Sequence, residues 1–339
     1  MLTDLAYWVR TFLAFNVGTI EDAPLEPLLE KLSPQPLIAT NPHNEVRDAV
    51  SGFLAECNLP FPVTPYDREF HNACCQAARS KGYAMDTYPG APSLHPFMPG
   101  GVVMATTAYA HLDNKSTQIL IALYTAFLIY LDDVFQQDVE LVYCFNERFI
   151  LCQAQDDPVL DGFASLLHEF PQHFGRVVSN IMITSTLNLV TALLLEHETQ
   201  DMKSSLDAHN YPTFSRVMSG ASETYALFAF PPQIPMPFYI QALPEQMMFI
   251  NNGNDVLSFY KEDSDGETVN RVSNLARCHG VSKIEVVRRL SQDAATCHSQ
   301  VLQILSPHRE AHTAYANFSQ GYVGFHASLA RYRLNELIC

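Results

Sequence analysis

Apolar residues along this chain recur at helical spacing rather than strand spacing. The pattern predicts helices over roughly 45–57, 67–82, 101–111, 116–135, 139–154, 160–169, 174–199, 213–229, 240–262, 267–278, 283–305 and 310–336. Sustained period-two alternation is almost absent, and no Asn-Gly or Asp-Gly pair joins two β-branched runs. The Asp265-Gly266 pair lies in a polar stretch and reads as a loop tip. Several boundaries have a chemical cause. Ser282 with Glu285 forms a capping box, and Gly280 before it suits a helix end. Pro212 should stop one element and Thr213 start the next. Pro231-Pro232 ends the helix before it. No repeat and no polar linker divides the chain, so 1–339 reads as one all-α domain.

The helix over 116–135 is apolar on nearly all sides, which places it in the middle of a bundle. Its apolar run, Ile119 to Leu131, is shorter than the roughly 20 residues that span a bilayer. At its C-terminal end stand Asp132 and Asp133, where the helix dipole is also negative. Three negative contributions in one place call for cations.

Composition narrows the function. Charged residues are 17% of the chain, below the roughly 25% of an average soluble domain, so disorder is disfavoured. The formal net charge is -16, from 20 Lys+Arg against 36 Asp+Glu. That balance argues against tracking a nucleic-acid backbone or an anionic membrane. An acidic protein can still take an anionic substrate if metal ions stand between them. The 8 cysteines form no C-x-x-C pair and no zinc-finger spacing, so they read as reduced thiols and the expected compartment is the cytoplasm. The N-terminus carries an early acid and no basic stretch, a poor signal peptide.

Four constellations can carry chemistry. In Asp132-Asp133-Val-Phe-Gln136-Gln137-Asp138, adjacent acids offer oxygen ligands to a hard divalent cation, and a solvated acidic helix end is the competing reading. In Asn254-Asp-Val-Leu-Ser258-Phe-Tyr-Lys261-Glu262, the i, i+4, i+8 spacing sets an amide, a hydroxyl and a carboxylate on one helix face, within roughly 12 Å. Those oxygens suit Mg²⁺, and Lys261 could reach an anion on the same metal. Arg216 lies in an apolar helix whose middle carries Ser219 and Gly220, a natural break. Arg331-Tyr332 can donate to phosphate oxygens. Other patterns fail: His197-Glu198 is not H-E-x-x-H, Gly220-Ala-Ser-Glu-Thr is not G-x-S-x-G, and no Gly-rich phosphate loop is present.

Taken together and in this order, the four resemble the class I terpene cyclases, in particular the fungal trichodiene synthase-like group. The resemblance runs from about residue 100 to the C-terminus. It implies a single-domain class I terpenoid synthase-like helical bundle around an apolar active-site cavity. It implies a sesquiterpene synthase acting on farnesyl diphosphate with Mg²⁺, three ions in all, to give a C15 hydrocarbon or alcohol and free diphosphate. Metal binding would fall to Asp132, Asn254, Ser258 and Glu262. Diphosphate binding would fall to Arg216, Lys261, Arg331 and Tyr332, with Asp132, Arg216 and Tyr332 catalytic. The group's D-D-x-x-D pattern is broken here, because its fifth position is Gln136. That puts Gln136 and Asp138 in doubt as ligands and leaves Asp133 a supporting acid. Aromatic side chains could stabilise a carbocation, with Phe70, Tyr88, Phe97, Phe127, Tyr225 and Phe228 as candidates. The polar stretch Asp263 to Thr268 suits a lid. No nucleic-acid partner and no membrane insertion are expected, and a homodimer is the assembly the resemblance suggests. Chain-elongating prenyl diphosphate synthesis and a non-catalytic isoprenoid-diphosphate-binding protein are the alternatives.

Overall fold

Side-chain caps start many of the helices. Asp67 accepts from Phe70 N, Asn114 from Ser116 N and Thr117 N, and Asp157 from Val159 N and Leu160 N. Asn270 accepts from Ser273 N, and Ser282 accepts from Glu285 N as the capping box requires. In the computed structural model these helices form one bundle. The structure describes residues 42–338, apart from 87, 89, 203–204 and 267–269. Residues 1–41, which the single-domain expectation includes, lie outside the described residues.

In chain order the helices are α1 (Pro42–Glu56), α2 (Arg68–Ser80), α3 (Met98–Thr107), α4 (Lys115–Gln137), α5 (Glu140–Tyr143), α6 (Phe145–Ile150), α7 (Pro158–Leu167) and α8 (Phe170–Phe174). They continue as α9 (Arg176–Glu198), α10 (Tyr211–Ser219), α11 (Ser222–Phe228), α12 (Leu243–Ser264), α13 (Arg271–His279), α14 (Lys283–Leu305), α15 (Arg309–Ser328) and α16 (Asn335–Ile338). Short 3₁₀ turns stand at His95–Phe97, Met236–Phe238, Ile240–Ala242 and Ala330–Tyr332. No strand occurs among the described residues.

As expected, α4 is the central helix: Leu120 through Phe127 are all buried. It packs closely on α3 because Gly101 has no side chain. A Cβ there would stand 1.9 Å from the Ala122 carbonyl oxygen. Gly321 does the same for α15, where a Cβ would lie 2.0 Å from Thr107 O. The helices α12 and α14 form the other principal pair, with α1 against α14. Between these layers lies an aromatic interior. The Tyr124 ring meets Phe163, Phe170, Tyr225 and Phe228, and its hydroxyl shares a hydrogen bond with Thr186 Oγ1 at 2.9 Å. Buried hydroxyls need such partners.

Four expectations change. The helix predicted over 139–154 is α5 and α6, split at Cys144 and finished by Cys152 in the left-handed region (φ 54). The one over 213–229 is two helices, parted at Gly220 where the sequence offered a break, with Ala221 left-handed (φ 44). The one over 310–336 stops at Ser328 with Leu329 extended, because the chain turns back to lay Tyr332 on Phe325 and His326. Pro212 does not stop an element. It occupies the first turn of α10, where a missing N–H costs nothing. Of the rest, α14 spans the predicted 283–305. Both α4 and α9 are long and apolar enough to cross a membrane by length and composition, beyond what the apolar run in α4 suggested. Both also pack within the bundle.

Candidate active site

The Asn254, Ser258 and Glu262 motif lies on α12, and its residues share one face. Ser258 Oγ donates to Glu262 Oε1 at 2.6 Å. Glu262 Oε2 accepts from Asn270 Nδ2 at 3.0 Å, so the residue that caps α13 also holds the carboxylate. Asn254 Oδ1 accepts from Arg216 Nη2 at 2.9 Å, and its Nδ2 lies 3.2 Å from His326 Nε2. Arg216 reaches α12 because α10 ends where Gly220 meets the Asn251 side chain. A Cβ on Gly220 would stand 2.2 Å from Asn251 Oδ1.

Asp255, the second residue of the motif, is turned away from that face and is buried. It accepts from Arg216 Nε through Oδ1 and from Arg271 Nη1 through Oδ2, each at 2.8 Å. Arg271 Nη1 also donates to Asn252 Oδ1 at 2.7 Å. Burial opposes the charge on Arg216, and the Asp255 carboxylate more than offsets it, so its guanidinium is held above its ordinary value.

Tyr332 joins the same cluster. Its ring lies 4.5 Å from that of His326, the residue that meets the Asn254 amide. Burial pushes the phenol up; Arg331 opposes the rise, Glu262 adds to it and Arg216 opposes it, and the phenol stays a neutral donor at pH 7.

The tertiary structure therefore brings Arg216, Asn254, Ser258, Glu262 and Tyr332 together. The other expected residues are placed differently. Asp132 is half-buried at the end of α4. Asp133 is exposed and accepts from Gln137 Nε2 at 2.7 Å. Gln136 is exposed, and Asp138 ends the helix with extended backbone, its Oδ1 accepting from Glu140 N. Lys261 Nζ lies 3.8 Å from Asp265 on the next turn. Arg331 is exposed, while Arg333 pairs with Glu336 and lies over the Tyr260 ring.

Among the aromatic candidates, Phe70, Phe127 and Phe228 are buried, Phe97 lies edge-on to Tyr130, and Tyr225 donates to Thr125. Tyr88 is 75% exposed, which removes it from any interior wall. Of the expected lid, Asp263 and Ser264 continue α12, Asp265 and Gly266 form a turn, and 267–268 lie outside the described residues.

Arg271, Asn270 and His326 are the residues that sequence reasoning missed. Arg271 and Asn270 fall just past the loop tip, and only the path of the chain returns them to α12. His326 carried a weak signal, four residues after Tyr322 on one face of α15.

The donor set fits Mg²⁺. It is an amide oxygen, a hydroxyl and a carboxylate, all hard oxygens. The 2.6 Å between Ser258 Oγ and Glu262 Oε1 is close to the roughly 2.9 Å edge of an octahedron with 2.0–2.1 Å bonds. Asn254 Oδ1 has two lone pairs and spends one on Arg216.

Comparisons with known proteins place the chain in a family. Residues 100–338 match the family model for trichodiene synthase. An α-cuprenene synthase of Coprinopsis cinerea is 40% identical over 294 residues, 86% of this chain and 90% of that enzyme. Terpene synthase 29 of Postia placenta is 33% identical over 299 residues, 86% of this chain and 84% of its own. The linalool/nerolidol synthase of Streptomyces clavuligerus, solved with 2-fluorogeranyl diphosphate, superposes with a TM-score of 0.57 over 82% of this chain and 97% of that one. At 12% identity that likeness speaks to the fold alone, an all-α class I terpene cyclase bundle.

Proposed function

The chain belongs to the trichodiene synthase family and is a terpene synthase, a lyase; from that premise we propose that its substrate is farnesyl diphosphate and its product a cyclic C15 hydrocarbon or alcohol. The observation that carries the proposal is the convergence of Arg216, and of Tyr332 through His326, on the oxygen-lined face of Asn254, Ser258 and Glu262. Mg²⁺, three ions in all, would be held by Asp132 on one side and by Asn254, Ser258 and Glu262 on the other, supplying Lewis acidity toward the departing diphosphate.

The chain's own residues do the rest. Arg216 and Tyr332 donate to diphosphate oxygens, with Arg331 and Lys261 adding charge once Lys261 turns from Asp265. Asp255 holds Arg216 in place from behind. The apolar aromatic interior around Tyr124 and Phe228 would keep water from the site in which the C1–O bond breaks and the allylic cation closes a ring. Ring faces such as that of the half-buried Tyr225 would stabilise that cation. The proposal includes a cytosolic enzyme, with the cysteines of the described residues all unpaired, acting as a homodimer.

The test is incubation of the purified chain with farnesyl diphosphate and Mg²⁺, followed by gas chromatography–mass spectrometry of the extract. A cyclic C15 product that a chelator abolishes supports the reading. Turnover of geranyl diphosphate alone would reassign the substrate.

A further inference from the structure

Away from the diphosphate site, two histidines and a cysteine meet where α2 faces the turn before α3. His71 and Cys75 are four residues apart on α2 and so share a face. Cys75 Sγ lies 3.3 Å from His71 Nε2. His95, at the start of the His95–Phe97 turn, presents its ring edge-on to His71 with centroids 6.3 Å apart. One ligand atom from each of the three lies within 4.8 Å of the others. Zinc–sulfur bonds of about 2.3 Å and zinc–nitrogen bonds of about 2.0 Å put neighbouring ligand atoms roughly 3.3–3.5 Å apart in a tetrahedron. The Cys75–His71 edge already has that length, and side-chain rotation of His95 closes the others.

We propose that His71, Cys75 and His95 form a second metal site, selective for Zn²⁺ over Mg²⁺, with its fourth position open to solvent. The donor set decides the metal: one sulfur and two imidazoles suit a borderline-soft ion, whereas Mg²⁺ wants oxygens. The surroundings favour binding. The Tyr66 hydroxyl lies 2.6 Å from His71 Nδ1, the arrangement that fixes a ligating ring so that Nε2 points at the metal. Ser93 Oγ accepts from the His95 backbone N–H at 3.2 Å and holds the turn. Cys75 is buried, but Tyr66 is 42% exposed and both rings are half-buried, so an ion can enter and keep one exchangeable ligand. Bound there, it would tie α2 to the start of α3 across the segment 81–94.

The experiment uses the full metal-free chain in excess Mg²⁺. Co²⁺ is titrated as a spectroscopic stand-in, and Zn²⁺ is titrated against a chromophoric chelator. The proposal expects one equivalent of each ion per chain and a thiolate-to-cobalt charge-transfer band. Cys75→Ser loses that band. Tyr66→Phe, which acts only through His71, weakens Zn²⁺ binding about 10–100-fold. His95→Gln weakens it at least as much. The exposed cysteines, replaced together as Cys144→Ser and Cys152→Ser, leave the band intact. Absence of the band in the wild type overturns the proposal, as does its persistence in Cys75→Ser. Should Cys75→Ser fail to fold, unchanged Zn²⁺ affinity in both Tyr66→Phe and His95→Gln overturns it equally.

Discussion

His326 sets which way the Asn254 amide points. His326 Nδ1 lies 2.9 Å from the Tyr322 carbonyl, to which it must donate, so the neutral ring presents Nε2 as an acceptor. Asn254 Nδ2 donates to that nitrogen at 3.2 Å, and its oxygen is left toward Arg216 and the proposed metal face. His326→Phe keeps a ring in the space and removes the acceptor. The Mg²⁺ concentration for half-maximal turnover should rise about 10–100-fold, the usual range for a residue behind a metal ligand. Far-UV circular dichroism should be unchanged.

His326 and His298 both make the fold acid-labile. Burial pushes each ring down to about 4, against an ordinary 6.5. Between those values the unfolded chain binds protons that the native chain does not, so stability falls as pH drops from 6.5 toward 4. The loss should reach on the order of 3 kcal/mol per ring by pH 4. Urea unfolding at pH 7, 5.5 and 4.5 measures it. His298→Gln should flatten the slope, and an unaltered slope would show that His298 titrates normally.

Asp255 neutralises two guanidinium groups, and the Arg271 side chain is only 6% exposed. Asp255→Asn strands both charges and should cost about 3–5 kcal/mol in urea unfolding. Adding Arg271→Met should recover part of that loss, because one stranded charge goes with it.

The acids after α4 should separate sharply. Asp132→Asn should lower turnover by about 100-fold or more, as loss of a group serving the leaving-group charge does. Asp138→Asn, at an exposed residue that serves a local turn, should stay within about threefold of wild type, since it leaves charge-stabilising groups untouched. Steady-state kinetics with matched Mg²⁺ titrations distinguishes the two.

How much of this was legible beforehand depended on whether a feature is local. Helix periodicity, the Ser282 cap and the shared face of Asn254, Ser258 and Glu262 depend on residues a few positions apart, and they stand as read. The extra breaks at Cys144 and Leu329 were not legible. Apolar spacing continues through both, and at Leu329 a tertiary contact decides the break. Tyr332 packs against His326 only if α15 ends at Ser328. Tyr88 shows the same limit: an aromatic residue suggests burial, but its 75% exposure is decided by where the loop runs.

The sequence by itself thus determined the all-α class, the central apolar helix and the shared helix face of Asn254, Ser258 and Glu262, because helical period and side-chain chemistry are properties of short stretches. Only the tertiary structure decided that Asp255 faces Arg216 and Arg271 and that His326 orients Asn254. It alone set His71 and Cys75 against His95. Each of these pairings joins residues whose separation in the chain carries no periodic signal, and packing of the bundle is what brings them within hydrogen-bonding or ligand distance.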